Sequence, residues 1–269
     1  MTRSLAPVLE ARILVKEKRY MEATMRIEIM LEDLVAANRI LANENVVDAF
    51  GHISVRHPDH PDRYLIARAV PPELVCKEDI LEIALNGEVL CGDLRKPYLE
   101  RFIHGAIYEA RADVQSVVHS HSRSVIPYSV TSEKLSPIVH SCAPIGAHVP
   151  VWDAQTTFGD SNLLISSVEM GRDFAKVLDQ NNAALMRGHG CTVAGRSIRG
   201  AVYTAVYLEV NAELQMQASR FGSITFLSEG EIRIISERLA NAKPNEGYDR
   251  AWEYWCRRAG IAYHPSATE

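Results

Sequence analysis

The chain has 269 residues, 47% of them hydrophobic, with a formal charge of −5, ten histidines and five cysteines. That length and apolar content suffice for a sizeable core, and the mild acidity with no basic stripe excludes a nucleic-acid binder. No apolar run approaches a membrane span, and Glu10 and Arg12 interrupt the Leu5–Leu9 stretch that would open a signal peptide.

Residues 1–20 are mixed and charged, and they read as a short helix or an arm packing on a neighbour. Residues 22–43 place Ile27, Met30, Leu31, Leu34 and Leu41 at helical spacing and predict an amphipathic helix. Residues 51–57 alternate and end at Pro58, which predicts a strand that a turn over 58–62 returns as Arg63–Ile66. A loop with Arg68, Pro71, Pro72 and Glu73 follows. Ile80–Leu85 and Glu88–Leu90 flank Asn86-Gly87, a strong hairpin signal.

Pro97 announces a helix over Tyr98–Arg111, then a strand over 115–119 and a helix from Ser122. Ile138–Cys142 reads as a further strand, Leu163–Gln180 as a helix, and Ala183–Met186 and Cys191–Ala194 as short strands around Arg187-Gly188-His189-Gly190. Ser197 is an N-cap for a long helix to about Phe221. It is apolar nearly all round, which predicts burial, in the subunit or between subunits. Two C-terminal helices, 229–241 and 247–258, close the chain, the last with Trp252, Tyr254 and Trp255 as core or interface. The five cysteines (Cys76, Cys91, Cys142, Cys191, Cys256) form no CxxC, so they are expected reduced, in a cytoplasmic protein. The element order predicts one domain over 1–269 with three layers around a mixed, mostly antiparallel sheet.

Chemistry-bearing residues concentrate at four places. His119 and His121 end the 115–119 strand two residues apart, so both rings point one way and can share a metal ion. Alone, such a pair is equally two loop histidines with ordinary hydrogen bonds. His189 sits between glycines that permit close backbone approach, or it is a hydrogen-bonded turn residue. Glu100 opens a helix that leads into the His119 strand, or it is an acid favoured there by the helix dipole. Three histidines and a carboxylate suit Zn²⁺, Mn²⁺, Co²⁺ or Fe²⁺.

The order Pro97-x-x-Glu100, Val117-Val118-His119-Ser120-His121 and Arg187-Gly188-His189-Gly190, with the strand Gly51-His52-Ile53-Ser54-Val55-Arg56, resembles the class II aldolase/adducin family over about residues 28–222. The resemblance implies an α/β/α sandwich around a mostly antiparallel sheet, a homotetramer, and a divalent metal held by His119, His121 and His189, with Glu100 as ligand or base. The departures are informative. Where sugar-phosphate aldolases of the family carry small and hydroxyl residues that hold phosphate, this chain has His52, Arg68 and Tyr98-Leu99. An arginine suits a planar carboxylate and an aromatic suits a ring.

That combination is similar to a branch of metal-dependent decarboxylases of hydroxylated aromatic dicarboxylates. It implies Mn²⁺ ahead of Zn²⁺ or Co²⁺, no organic cofactor, and a small aromatic dicarboxylate as partner. The substrate expected first is 3-hydroxy-2-methylpyridine-4,5-dicarboxylate, of vitamin B6 degradation, and next a dihydroxyphthalate. Expected roles are Glu73 as acid–base group, Glu100 as ligand or proton relay, Arg68 and Tyr98 as substrate contacts, and His52 as a hydrogen bond to substrate oxygen. His140 and His148 could act across a subunit boundary. The alternatives are an aldolase or lyase on an unphosphorylated hydroxy-keto acid and a non-catalytic adducin-like scaffold.

Overall fold

A computed structural model describes residues 6–90 and 92–263. Seven strands form one sheet: β1 (His52–Arg56), β2 (Arg63–Ala67), β3 (Ile80–Ala84), β4 (Ser116–Ser120), β5 (Val151–Trp152), β6 (Ala183–Met186) and β7 (Gly190–Gly195). Their order across the sheet is β3-β2-β1-β4-β7-β6-β5, and every neighbouring pair is antiparallel except β5 with β6. The helices are α1 (Ala6–Asn43), α2 (Arg101–Ala110), α3 (Ile126–Ser129), α4 (Ala154–Phe158), α5 (Val168–Leu178), α6 (Ile198–Ala218), α7 (Glu229–Ala240) and α8 (Tyr248–Arg258).

Strand periodicity divides the core in two. Ile53, Val55, Leu65, Val118, Leu185 and Val193 face α1, α6 and α8, where they meet Leu34, Ile40, Val202, Leu208, Trp252 and Trp255. The alternate residues Tyr64, Ile66, Val117 and Ala184 face α2 and α5, against Ile103, Ile107, Phe174 and Leu178. The result is helix, sheet, helix, the expected three layers with a mixed, mostly antiparallel sheet. Arg199 at the start of α6 ties the first layer together, with Asp249 of α8 at 2.8 Å and Asp33 of α1 at 3.6 Å. Among the described residues no helix is long and apolar enough to cross a membrane.

Several expectations are corrected. The helix read over 22–43 begins at Ala6, so most of the 1–20 stretch continues α1, while residues 1–5 and Cys91 lie outside the described residues. The second arm of the 80–90 hairpin is a single bridge, Ile83 with Val89. The helix read from Ser122 is the short α3. Strand β5 and helix α4 were not foreseen. Much of α6 is buried within the chain, against α1 and α8. Trp252 and Trp255 are core, and Tyr254 is exposed.

The strand read over Ile138–Cys142 is absent; His140–Ile145 forms 3-10 turns instead. Side chains of α6 take the place of a partner strand. Asn211 accepts from the Ile138 amide at 2.9 Å and donates to the Ser136 carbonyl at 2.8 Å, and Gln215 accepts from the Ser136 amide and donates to the Lys134 carbonyl. With its backbone groups satisfied this way, the segment has no need of a ladder. Asn211→Ala leaves the partly buried Ile138 amide and Ser136 carbonyl without their partner and is expected to destabilise the fold by about 1 kcal/mol or more, read as a lower urea midpoint at unchanged m value.

Candidate metal centre

The site gathers at the end of β4. There β4 lies between β1 and β7, and His119 is paired with His52 on one side and Thr192 on the other. His121 follows one residue beyond the strand, and His189 comes from the tight turn joining β6 to β7. A side chain at Gly190 is sterically forbidden, because its Cβ would lie 2.2 Å from the Ser120 carbonyl oxygen. Gly51 packs similarly: its φ is +97°, and a Cβ would lie 2.6 Å from Val47 and 3.0 Å from the His119 carbonyl. These two glycines bring flanking segments against the strand that carries the histidines.

Glu100 precedes α2. One of its oxygens accepts from the Ile165 amide at 3.0 Å, and the other lies 3.5 Å from Nε2 of both His119 and His189. Two helix boundaries move to allow this. The predicted Tyr98–Arg111 helix begins at Arg101, so Tyr98, Leu99 and Glu100 are free to line the site. The predicted Leu163–Gln180 helix begins at Val168 behind the Ser167 cap, because Ile165 is committed to Glu100.

Ligand atoms of Glu100, His119, His121 and His189 all lie within 4.8 Å of one another. Ligand bonds of about 2.0–2.2 Å to one ion bridge such a group after slight closure. The nitrogens themselves test the fit. His119 Nε2, His121 Nε2 and both His189 nitrogens are buried without a hydrogen-bond partner. Each unmet buried polar atom is unfavourable by roughly 1–3 kcal/mol, which a shared cation would offset. His119 Nδ1 faces the Cys191 carbonyl at 3.1 Å. Only an N–H satisfies that oxygen, so the lone pair of the neutral ring sits on Nε2, toward the group.

Charge follows the same pattern. Burial opposes ionisation of Glu100, but His119 and His189 outweigh it and hold the carboxyl well below the usual carboxylate range. Burial, then His119 and His189, push His121 down to about 4. An ionised Glu100 and a His121 ring that resists protonation are forms in which a divalent ion is bound.

Beside this group stand the other residues singled out in the sequence. The His52 ring lies 5.1 Å from His119 and 4.6 Å from Tyr98, centroid to centroid. Tyr98 donates its hydroxyl to the Val70 carbonyl, and burial pushes that hydroxyl up to about 12. Arg68 bridges to Pro97, the residue before Tyr98. Its Nε donates to Asp79 at 2.6 Å, and its terminal nitrogens have no protein partner among the described residues. Asp79 is itself held by the Cys76 amide. Tyr98 and His52 thus stand ring to ring beside His119, and the backbone of Arg68 pairs next to Tyr98.

Glu73 is not brought to the group. It is exposed on the 3-10 turn Pro72–Leu74 and lines a surface cleft with Arg39, Asn43 and Ala259. His140 and His148 are exposed and also stand apart from the four ligands. His104 was missed, although it is fully buried and bonded to His52 at 2.7 Å. The available signal was its position four residues after Glu100, one helical turn along the same face.

The family described as Class II Aldolase and Adducin N-terminal domain matches residues 32–216. Decarboxylase tropJ of Talaromyces stipitatus is 32% identical over 253 residues, which span 85% of this chain and 93% of that relative. The 4-hydroxy-3-prenylphenylpyruvate oxygenase/4-hydroxy-3-prenylbenzoate synthase of Streptomyces roseochromogenus is 25% identical over 71% of this chain and 68% of its own. Among solved structures, L-fuculose 1-phosphate aldolase from Glaciozyma antarctica superposes with a TM-score of 0.67 and 27% identity, covering 86% of this chain and 88% of that one.

Metal binding is checked by stability. Adding Mn²⁺ or Zn²⁺ at a hundredfold excess over Kd to the stripped protein is expected to stabilise it by about 2.7 kcal/mol, seen as a raised Tm. His121→Ala is expected to abolish that shift and to lower bound metal in elemental analysis.

Proposed function

Because the chain belongs to the class II aldolase and adducin family, we propose that it is a metal-dependent lyase that decarboxylates a hydroxylated aromatic dicarboxylate. The observation that carries this reading is the pair of rings, Tyr98 and His52, set beside His119, with Arg68 bridged to the residue before Tyr98. By the family resemblance, these residues replace the small and hydroxyl residues with which sugar-phosphate aldolases hold phosphate. The decarboxylase relative, similar over nearly its whole length, supports the reaction type. The relative named as a 4-hydroxy-3-prenylbenzoate synthase supports a hydroxylated aromatic acid.

The substrate proposed first is 3-hydroxy-2-methylpyridine-4,5-dicarboxylate, and a dihydroxyphthalate second. Arg68, held at Nε by Asp79, offers its terminal N–H groups to one carboxylate in a planar, bidentate pair. Tyr98 and the exposed Leu99 lie against the ring. His52 hydrogen-bonds the ring oxygen. His119, His121 and His189, with Glu100, hold the ion, Mn²⁺ ahead of Zn²⁺ or Co²⁺. That ion supplies Lewis-acid stabilisation of negative charge developing on oxygen. Protonation of the ring carbon that bears the departing carboxylate creates a β-keto-acid-like tautomer. The bond to CO₂ then breaks, its electron pair passes through the ring to oxygen, and the phenolate of the product remains. Glu73 stands outside the group of Glu100 and the three histidines, and Glu100 is taken as the carboxylate that relays the proton.

A homotetramer is proposed on the family resemblance. It would give a partner to Met21, Met25 and Ile29 on α1, which are exposed in the single chain. A reducing, cytoplasmic setting suits the free thiols of Cys76, Cys142, Cys191 and Cys256. The similarity to an L-fuculose 1-phosphate aldolase favours one alternative, cleavage of an unphosphorylated hydroxy-keto acid.

One assay separates the two. The Mn²⁺-loaded protein is incubated with the pyridine dicarboxylate, with dihydroxyphthalates and with hydroxy-keto acids, and CO₂ and aldehyde are measured. Release of CO₂ from an aromatic dicarboxylate is expected, whereas aldehyde alone would transfer the assignment to aldol cleavage. Arg68→Ala is expected to raise KM by about 10–100-fold, the worth of a charge-assisted hydrogen bond, with a smaller change in kcat.

A further inference from the structure

Strand β1 places His52, Ser54 and Arg56 on one face, two residues apart, and α2 lays His104 and Tyr108, four residues apart, against them. The spacings nearly agree, at roughly 6.6 Å for two strand residues and 6 Å for four helical ones. The side chains interlock in a line. His52 Nδ1 is 2.7 Å from His104 Nε2, His104 Nδ1 is 2.6 Å from Ser54 Oγ, and Ser54 Oγ is 2.8 Å from the Tyr108 hydroxyl. All four residues are buried.

In such a line, fixing the hydrogen at one end fixes every other. Tyr108 is that end. Among the described residues its hydroxyl hydrogen has one acceptor, Ser54 Oγ. Tyr108 donates to Ser54, and Ser54 then donates to His104 Nδ1. His104 carries its hydrogen on Nε2 and donates it to His52 Nδ1. The neutral His52 ring is left with its hydrogen on Nε2, the edge turned away from His104.

Arg56 anchors the far end. Its guanidinium lies 4.7 Å over the Tyr108 ring and donates to the carbonyls of Pro61, Tyr108, Arg111 and Val114. Burial pushes the Tyr108 hydroxyl well above its ordinary value, so the line ends in a group that keeps its proton. It is a lock, not a wire for protons.

We infer that His104, with Ser54 and Tyr108, is a positioning residue that fixes His52 as the Nε2–H tautomer, making His52 a hydrogen-bond donor to substrate and not a base. The tautomer follows from these contacts alone. That its N–H meets a substrate oxygen rests on the decarboxylase reading above.

The test uses zinc-loaded protein labelled with ¹⁵N-histidine, since Zn²⁺ is diamagnetic. Two-bond ¹H–¹⁵N spectra distinguish protonated from unprotonated ring nitrogens, and loss of signals in His52→Gln assigns that ring. In the wild type, His52 Nε2 is expected protonated and Nδ1 not. His104→Gln, whose amide still donates, is expected to keep that pattern. His104→Glu, which as a carboxylate only accepts, is expected to exchange the two nitrogens. An Nδ1-protonated His52 in the wild type overturns the inference even if no variant folds, and so does one tautomer common to both variants.

Kinetics provide a second readout on the pyridine dicarboxylate. The Glu variant is expected to lose about tenfold or more in kcat with little change in KM, and Gln to restore most of that loss. Equal losses in both would reduce His104 to packing. Absence of turnover in the wild type on both the pyridine dicarboxylate and the dihydroxyphthalates would refute the decarboxylase reading while leaving the spectra to decide the tautomer.

Discussion

The central position of β4 is the constraint from which the rest of the site follows. Its antiparallel pairing with β1 and β7 sets His52, His119 and Thr192 abreast across three strands. A slip of one residue would turn His119 into the apolar layer that Val118 now fills and send Val118 to the face of the site. That slip is resisted from both sides, because the alternation that aims His119 also delivers Val117 and Val118 to the two cores. Packing energy spread over the whole sheet therefore holds a few polar atoms in place, and the ligand group inherits its geometry from the core.

Around the strand end, polar groups are either fully paired or conspicuously left over. Arg56, Asn211 and Gln215 are buried and saturated with backbone partners. The histidine nitrogens facing Glu100 are buried and unpaired. Native interiors tolerate few unpaired buried polar atoms, so several converging on one point mark a binding centre and not a packing flaw. The adjoining residues differ in kind: Tyr98 and His52 bring a phenol and an imidazole ring beside His119.

The fold and the ligand group were largely legible in the sequence. Alternation in 51–57 and 115–121, the paired histidines and the glycine-flanked His189 are local signals, and local signals survive into the structure. The misreadings arise where a distant side chain overrides local preference. Tyr98–Glu100 leave the predicted helix to line the site, Ile165 is held out of α5 by Glu100, and the entry to 138–142 is bonded at Ser136 and Ile138 to two amides on α6 in place of a neighbouring strand. His104 was passed over because on its own turn of α2 it resembles any buried histidine; it gains meaning only when β1 is laid across it. Glu73 was drawn in by its nearness to Arg68 in the chain, yet the two prolines turn that loop toward α1.

The two oxygens of Glu100 answer to different masters. One holds the Ile165 amide, and through it the segment leading into α5; the other faces His119 and His189. A carboxylate is rigid and planar, so it cannot turn toward one side without disturbing its bond on the other. Occupancy of the centre and order in the loop before α5 are accordingly linked quantities, and whatever free energy one gains from the carboxylate's orientation is felt by the other in equal measure.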